Sequence, residues 1–383
     1  MPASAYRCFA VTSPGIEATT ASELTALGIL PIGTEPGGVE FEAGLEQLYT
    51  ANLELRTASR VIVRLAEFPA RAFYELERKA KRVPWDEIIG PGTPVRFRVT
   101  AKKSRLYHAD AIAQRLQAVV GAEGGTSLGS GIDPEAGEED PDGRDSGVQL
   151  FVVRVLRDVV TISADSSGAL LHRRGYRQAG GKAPLRESFA AAMLLAAGYD
   201  GSAPLVDPFC GSGTIPIEAA LLARRIAPGI NRAFAFEQWP NSDAGLWSGL
   251  KASARQRALS AAPAAIVGGD RDAGAIAAAE ANAERAGVAR DIRFRTEAVS
   301  ALEPPAGKGL VASNPPYGVR IGRAGDLRDL YARLGALLRE RWSDWSVAML
   351  VASPMPEREM GLSFGQAWES NTGGIAIRLL IRS

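Results

Sequence analysis

The chain sets an amide, two prolines and a phenol in succession, Asn314-Pro315-Pro316-Tyr317, directly after the apolar run Leu310-Val311-Ala312. The prolines lack amide protons and have fixed φ, so the tetrapeptide cannot continue a helix or a central strand. It reads either as a proline turn or as a chemical site. As a site, the Asn314 side-chain carbonyl and the Pro315 backbone carbonyl accept the two hydrogens of an exocyclic amine, and Tyr317 stacks on a flat base. Holding both hydrogens frees the nitrogen lone pair to attack an electrophilic methyl. Such catalysis is positional and electrostatic, with no covalent enzyme intermediate.

A second stretch, Leu205-Val206-Asp207-Pro208-Phe209-Cys210-Gly211-Ser212-Gly213-Thr214, reads as a strand, a glycine loop and a helix start. Pro216 stands where a dinucleotide fingerprint needs its third glycine, and no Gly-Lys-Ser/Thr follows to make a phosphate loop. The acid at the strand end, Asp207, disfavours a phosphate and favours a cationic ligand. S-adenosylmethionine, with an ammonium and a sulfonium, fits; an ordinary strand-to-helix turn is the alternative. Gly268-Gly269-Asp270-Arg271-Asp272 follows another short apolar run. Asp270 is placed to accept both hydroxyls of a ribose, and Asp272 to cap the next helix. Glu297, after Ile292-Arg293-Phe294-Arg295, could accept an adenine amino group, although a solvated glutamate is the commoner outcome.

These residues need a scaffold that brings strand ends together. From about Pro204 onward the sequence alternates short apolar runs with helical patterns: 204–206, 215–223, 265–267, 273–286, 292–295, 309–312, 327–341 and 347–351. That alternation predicts a doubly wound, mostly parallel α/β sheet with ligands at the carboxyl ends of its strands. The first half predicts strands at 8–12, 39–42, 61–65, 95–99, 148–155 and 159–164, with helices over about 14–27, 44–52 and 109–120. Gly121 to Gly147, rich in Gly, Ser, Pro and acids, reads as a mobile acidic insertion kept off any RNA path. An alanine-rich helix is expected over 187–197.

The stretches DPFCGSGTIPIEAA, INRAFAFEQW, SNPPYGVRIG and LRDLYARLGALLRERW closely resemble the THUMP-domain RNA guanine-N2 methyltransferases. The linker LHRRGYRQAGGKAPLRESFAAAML, the late ESNTGGIAIRLL and the opening FAVTSPGIEATTASELTALGI look like the same family. The resemblance implies a ferredoxin-like domain over 1–58 and a THUMP RNA-binding domain over 59–168 carrying the acidic insertion. A linker over 169–186 and a Rossmann-like methyltransferase domain over 187–383 complete the expected order. It implies S-adenosylmethionine as cofactor and the 2-amino group of a guanine, in 23S rRNA or in tRNA, as target. By position it makes Asp207, Phe209, Cys210, Gly211, Gly213 and Thr214 the methionine-side loop, Asp270 the ribose acid and Glu297 the residue near adenine. The family more often shows Asp at that last position. Asn314, Pro315, Pro316 and Tyr317 become the target-amine site, with Asn314 also against the cofactor, and Lys182, Pro184 and Leu185 line the cofactor from the linker side.

Lysine plus arginine number 44 against 43 acids, so RNA contact must come from local patches. Residues 71–105 carry a local excess of +6. There Arg96 and Arg98 alternate with apolar residues, and Lys102, Lys103 and Arg105 follow. The linker adds Arg173, Arg174 and Arg177 around Tyr176. These eight cations are the expected RNA contacts, with a solvated face or a braced interdomain joint as the competing readings. Two cysteines, Cys8 and Cys210, and two histidines, His108 and His172, speak against a disulfide framework or a metal site. No apolar run approaches the roughly 18 residues that span a bilayer. A cytoplasmic monomer is expected. Two other readings remain open: an RNA-binding or assembly protein with secondary catalysis, and a DNA adenine methyltransferase, whose target amine has similar geometry.

Overall fold

The structure is a computed structural model; it describes residues 5–121, 147–177, 185–316, 324–352, 357–372 and 374–382. The acidic insertion, save its end residues Gly121 and Gly147, lies outside the described residues, as do Lys182, Pro184 and Tyr317.

The strands are β1 (Tyr6–Val11), β2 (Pro31–Glu35), β3 (Gly38–Ala43), β4 (Arg60–Pro69), β5 (Val95–Lys102), β6 (Gln149–Leu156), β7 (Val159–Asp165), β8 (Leu205–Asp207), β9 (Ile266–Asp270), β10 (Ile292–Thr296), β11 (Leu310–Ser313), β12 (Ser346–Ala352), β13 (Gly365–Thr372) and β14 (Ile375–Arg382). The helices are α1 (Glu17–Ala26), α2 (Leu45–Glu54), α3 (Phe73–Ala80), α4 (Ala109–Val120), α5 (Glu187–Ala196), α6 (Thr214–Ala223), α7 (Ala244–Arg257), α8 (Ala273–Ala286), α9 (Ala324–Glu340) and α10 (Glu357–Met360).

Two compact units form. The first comprises Met1–Thr12, Thr20–Leu171 and Arg232–Lys251; the second comprises Ser13–Thr19, His172–Asn231 and Ala252–Ser383. In the first, one sheet runs in the order β2-β3-β1-β4-β7-β6-β5, antiparallel except where β5 pairs β6. Val95, Phe97 and Val99 of β5 are buried while Arg96 and Arg98 between them are half-buried, as the alternation requires. Phe97 stacks on Phe151 of β6, with Trp85 edge-on to both. The Arg232–Lys251 segment adds an aromatic cluster to this unit. Phe236 lies between the rings of Tyr49, 4.2 Å away, and Phe234, with Trp247 edge-on, and Trp239 Nε1 donates to Gln149.

In the second unit the sheet order is β10-β9-β8-β11-β12-β14-β13. The first five strands are parallel, and β14 and β13 add an antiparallel hairpin at one edge. The expected doubly wound, mostly parallel architecture is therefore present, with this hairpin beyond what the alternation indicated. Apolar side chains of α5, α6 and α8 pack the sheet with Ile16, which arrives from the N-terminal segment. Gly15, at φ +95°, is needed for that approach, since a Cβ there would lie 1.7 Å from the Glu369 carbonyl oxygen. A second core gathers β9, β11, β12 and α9 around Trp342 and Tyr331.

Candidate active site

Because β10, β9, β8 and β11 are parallel and in register, Glu297, Asp270, Asp207 and Asn314 all stand at or just past the carboxyl ends of neighbouring strands. The chain runs β8, β9, β10 outward and then crosses back to lay β11 on the other side of β8. The strand order thus reverses between Asp207 and Asn314, the place where open α/β sheets bind ligands.

Asp207 is 1% exposed. Its Oδ1 accepts the Ser313 hydroxyl at 2.7 Å and the Phe209 amide at 3.1 Å. Its Oδ2 is shielded from solvent and has no hydrogen-bond partner among the described residues. Burial pushes the Asp207 carboxyl up to about 7, and the nearby Asp270 charge adds to the rise against the two donors. A buried acid with one oxygen committed and the other bare fits a cationic ligand group.

The glycine loop closes around that acid. Cys210 N–H donates to the Gly269 carbonyl, and Gly211 N–H to Asp270 Oδ2 at 3.1 Å, so β9 holds the loop in place. Space beside Gly211 is open, since a Cβ there meets nothing within 4 Å. Gly213, at φ +83°, caps α6 and abuts Ala279 and Phe294, where a Cβ would come within 2.9 Å of another carbon. Thr214 is buried at the start of α6, and its Oγ1 accepts from Arg177 at 2.8 Å. Burial raises the Cys210 thiol well above its usual range, so it stays neutral and is no thiolate nucleophile.

Asp272 caps α8 through the amides of Gly274 and Ala275, as expected, and leaves Asp270 as the acid of this turn. Asp270 Oδ1 accepts the Asp272 amide at 3.0 Å, which fixes the carboxylate's orientation. Beyond β10, Glu297 N–H donates to the Asp270 carbonyl, and Glu297 Oε1 is a second shielded acceptor without a hydrogen-bond partner among the described residues; Arg295 is 3.7 Å from it.

The Asn314 amide oxygen is a third such acceptor. Pro315 is buried, and the carbonyl of Pro316 accepts the Tyr331 hydroxyl from α9 at 2.9 Å, anchoring the turn that carries Asn314. Neither Ser313 nor Tyr331 is singled out by the sequence as a site residue. Their hydroxyls end an apolar strand and sit on an amphipathic helix, positions where most hydroxyls serve only packing.

The linker arginines divide. The Arg174 side chain is enclosed and paired with the buried Glu218, which also accepts the Tyr176 hydroxyl at 3.0 Å. Arg177 donates to the Leu185 carbonyl and Thr214 Oγ1 and lies 3.5 Å from Glu187. These contacts favour the bracing role that the sequence left open beside phosphate contact, more fully for the enclosed Arg174 than for the partly exposed Arg177. Arg173 is exposed, and Leu185 is half-buried against the second unit's core. His172 is buried among Arg186, Arg174, Arg173 and Arg177 and pushed down to about 3 by burial and those charges, so it stays neutral. In the first unit Lys102, Lys103 and Arg105 are exposed at the end of β5. Just beyond them Tyr107, 65% exposed, lies against the His108 ring, and both line a surface depression of about 570 Å³.

Residues 174–379 match the family model described as the RMKL-like methyltransferase domain. The chain belongs to that family. Residues 7–62 match the family model described as the RlmL ferredoxin-like domain. "Putative RNA methyltransferase slr0064" of Synechocystis sp. is 34% identical over 379 residues, covering 97% of this chain and 95% of that protein. Ribosomal RNA large subunit methyltransferase K/L of Syntrophotalea carbinolica is 37% identical over 384 residues, covering 97% of this chain and 53% of that protein. The chain thus spans about half the length of its K/L relatives. The crystal structure of "SMU.472, a putative methyltransferase complexed with SAH" superposes with a TM-score of 0.85 at 28% identity, covering 98% of this chain and 97% of that one. The SAH bound in that protein is S-adenosylmethionine without its transferable methyl. The bare Asp207 Oδ2 and the open space at Gly211 suit its α-amino acid end. Among the described residues no three His, Cys, Asp or Glu side chains cluster as metal ligands, and no helix is long and apolar enough to cross a membrane.

Proposed function

We propose that the chain methylates the exocyclic N2 of a guanine in RNA, with 23S rRNA as the leading substrate and tRNA as the alternative for the same chemistry. The observation that carries this reading is the shielded amide oxygen of Asn314, unpartnered among the described residues, one strand away from the equally bare Asp207 Oδ2. When bound, S-adenosylmethionine supplies an electrophilic methyl on a sulfonium sulfur. Asp207 Oδ2 takes the ligand's ammonium, Asp270 its ribose hydroxyls, and Glu297 its adenine amine. Asn314 accepts one hydrogen of the target amine and the Pro315 carbonyl the other, which turns the nitrogen lone pair toward the methyl. Tyr317 stacks on the guanine. The enzyme contributes fixed acceptors in a water-poor cleft and supplies no covalent nucleophile. A guanine within a helix has to be flipped out to reach this turn.

The RNA grip is assigned to the first unit, as ferredoxin-like and THUMP portions, through Arg96, Arg98, Lys102, Lys103 and Arg105, with Arg173 as a further cation. The exposed Tyr107 and His108 rings beside the Lys102–Arg105 turn favour RNA with unstacked bases. Lys102→Glu together with Arg105→Glu is expected to weaken RNA binding and to flatten its salt dependence by about 0.7 in log–log slope per lost phosphate contact. An unchanged affinity and slope, measured by fluorescence anisotropy across a salt series, would remove this surface from the RNA path. Nucleoside mass spectrometry of separated rRNA and tRNA, with and without the gene, tests the substrate. Loss of N2-methylguanosine from rRNA is expected, and loss from tRNA alone overturns the rRNA choice.

A further inference from the structure

One contact joins the two halves of the cleft. Ser313, fully buried as the last residue of β11, donates its hydroxyl to Asp207 Oδ1 at 2.7 Å, across the strand pair at which the sheet order reverses. Ser313 is bonded directly to Asn314. With the Phe209 amide it saturates Oδ1 and leaves Oδ2 as the bare oxygen. We propose that Ser313 is a positioning residue: it holds the Asp207 carboxylate with Oδ2 presented to the cofactor's ammonium and locks that carboxylate to the strand end carrying Asn314. The proposal rests on the assignment of Asp207 to the cofactor made above.

The chemistry of the hydroxyl gives it a signature beyond packing. A hydrogen bond donated to a carboxylate favours the charged form, whereas burial and the Asp270 carboxylate on β9 oppose it. Among the described residues, the other groups facing Asp207 are the Phe209 amide and the Cys210 thiol of its own loop, and the thiol stays neutral. Removing the Ser313 hydroxyl therefore makes Asp207 harder to ionise, and a cationic ligand must then be met by a weaker acid.

The test is calorimetric titration with S-adenosylhomocysteine between about pH 5.5 and 8.5, a range over which the ligand's α-amine stays protonated. For the unsubstituted chain, affinity is expected to fall as pH drops through about 7, where Asp207 takes up its proton. Ser313→Ala should bind roughly tenfold more weakly near neutrality, with the midpoint raised by about one pH unit and the two curves converging at high pH. Ser313→Thr, which keeps the oxygen, should bring the midpoint back toward that of the unsubstituted chain. If Ser313→Ala does not fold, Ser313→Cys, a weaker donor, should show the same upward displacement. Superimposable pH profiles, or a uniform loss with an unmoved midpoint, overturn the proposal. If Asp207→Asn binds like the unsubstituted chain, the cofactor assignment itself falls, and Ser313 with it. If Asp207→Asn loses binding while the Ser313 profiles overlay, only the role of Ser313 is wrong.

Discussion

Asn314→Ala is expected to lower kcat about 100- to 1,000-fold while leaving the affinity for S-adenosylhomocysteine within about threefold of the unsubstituted chain. The split follows from what the amide oxygen touches. It has no partner among the described residues, so its loss breaks no hydrogen bond there. The residue is half-buried, with Pro315 buried behind it and the turn held from α9 through Tyr331 and the Pro316 carbonyl, so the backbone keeps its course. What disappears is one acceptor for the target amine, and with it the bias that points the nitrogen lone pair at the methyl. Because that interaction strengthens as the nitrogen becomes tetrahedral, the deficit falls on turnover more than on binding. Asn314→Asp keeps an acceptor at the same place and should retain more turnover than alanine does. Single-turnover methylation of an RNA substrate, alongside ligand titration, reads both quantities. A kcat within tenfold of the unsubstituted chain would mean that the turn is only a turn.

The parts of the site legible in the sequence are those where polar or rigid residues interrupt an apolar run. Asp207, Asp270 and Asn314 each close a short hydrophobic strand, and a strand that ends in an acid or an amide carries its own label. Their convergence was legible too, because alternating strands and helices dictate parallel neighbours with a common carboxyl edge. Ser313 was not, since a hydroxyl at a strand end has many uses and only the register of β11 on β8 brings it to Asp207. For the linker arginines, charge alone does not tell a phosphate contact from an internal brace. The partners that decide it, Glu218 and Glu187, lie on α6 and α5 and read in sequence as ordinary helix positions. The sheet edges were the least legible part of the fold. β2 is short and mostly exposed, so it lacks the apolar alternation of a half-buried strand. The β13–β14 hairpin pairs Thr372 with Ile375 at one end and buries only Trp368 and Ser370 from β13. The aromatic residues of the Arg232–Lys251 segment gave a motif but no destination, because their partners Tyr49 and Gln149 lie far back in the chain.

Asp207→Asn should move two measurements in opposite directions. Binding of S-adenosylhomocysteine is expected to weaken by about 2–5 kcal/mol, roughly 30- to 4,000-fold, since a shielded cation would meet an amide in place of a carboxylate. Stability of the ligand-free chain should rise at pH 8. The sign follows from proton uptake. The folded-state pKa of Asp207 is raised to about 7 from an ordinary value of 3.8, so between these values the folded chain holds a proton that the unfolded chain has released. The stability available below that window is lost as pH climbs through about 7, a cost on the order of a few kcal/mol for a group this buried. Asparagine never ionises and escapes that loss. Its carbonyl can still accept from Ser313 and Phe209, and its amide nitrogen takes the position of the oxygen that was already bare. Thermal melts of the ligand-free chains should therefore lie close together near pH 4, separate as pH rises toward about 7, and stay apart by a constant margin above it, with the asparagine variant the more stable. A residue present only for packing would lose stability and binding together at every pH, so melts that fall with the substitution at pH 8 would contradict the role given to Asp207. A gain in stability bought with the loss of cofactor is the pattern expected when a fold keeps a buried charge for its ligand rather than for itself.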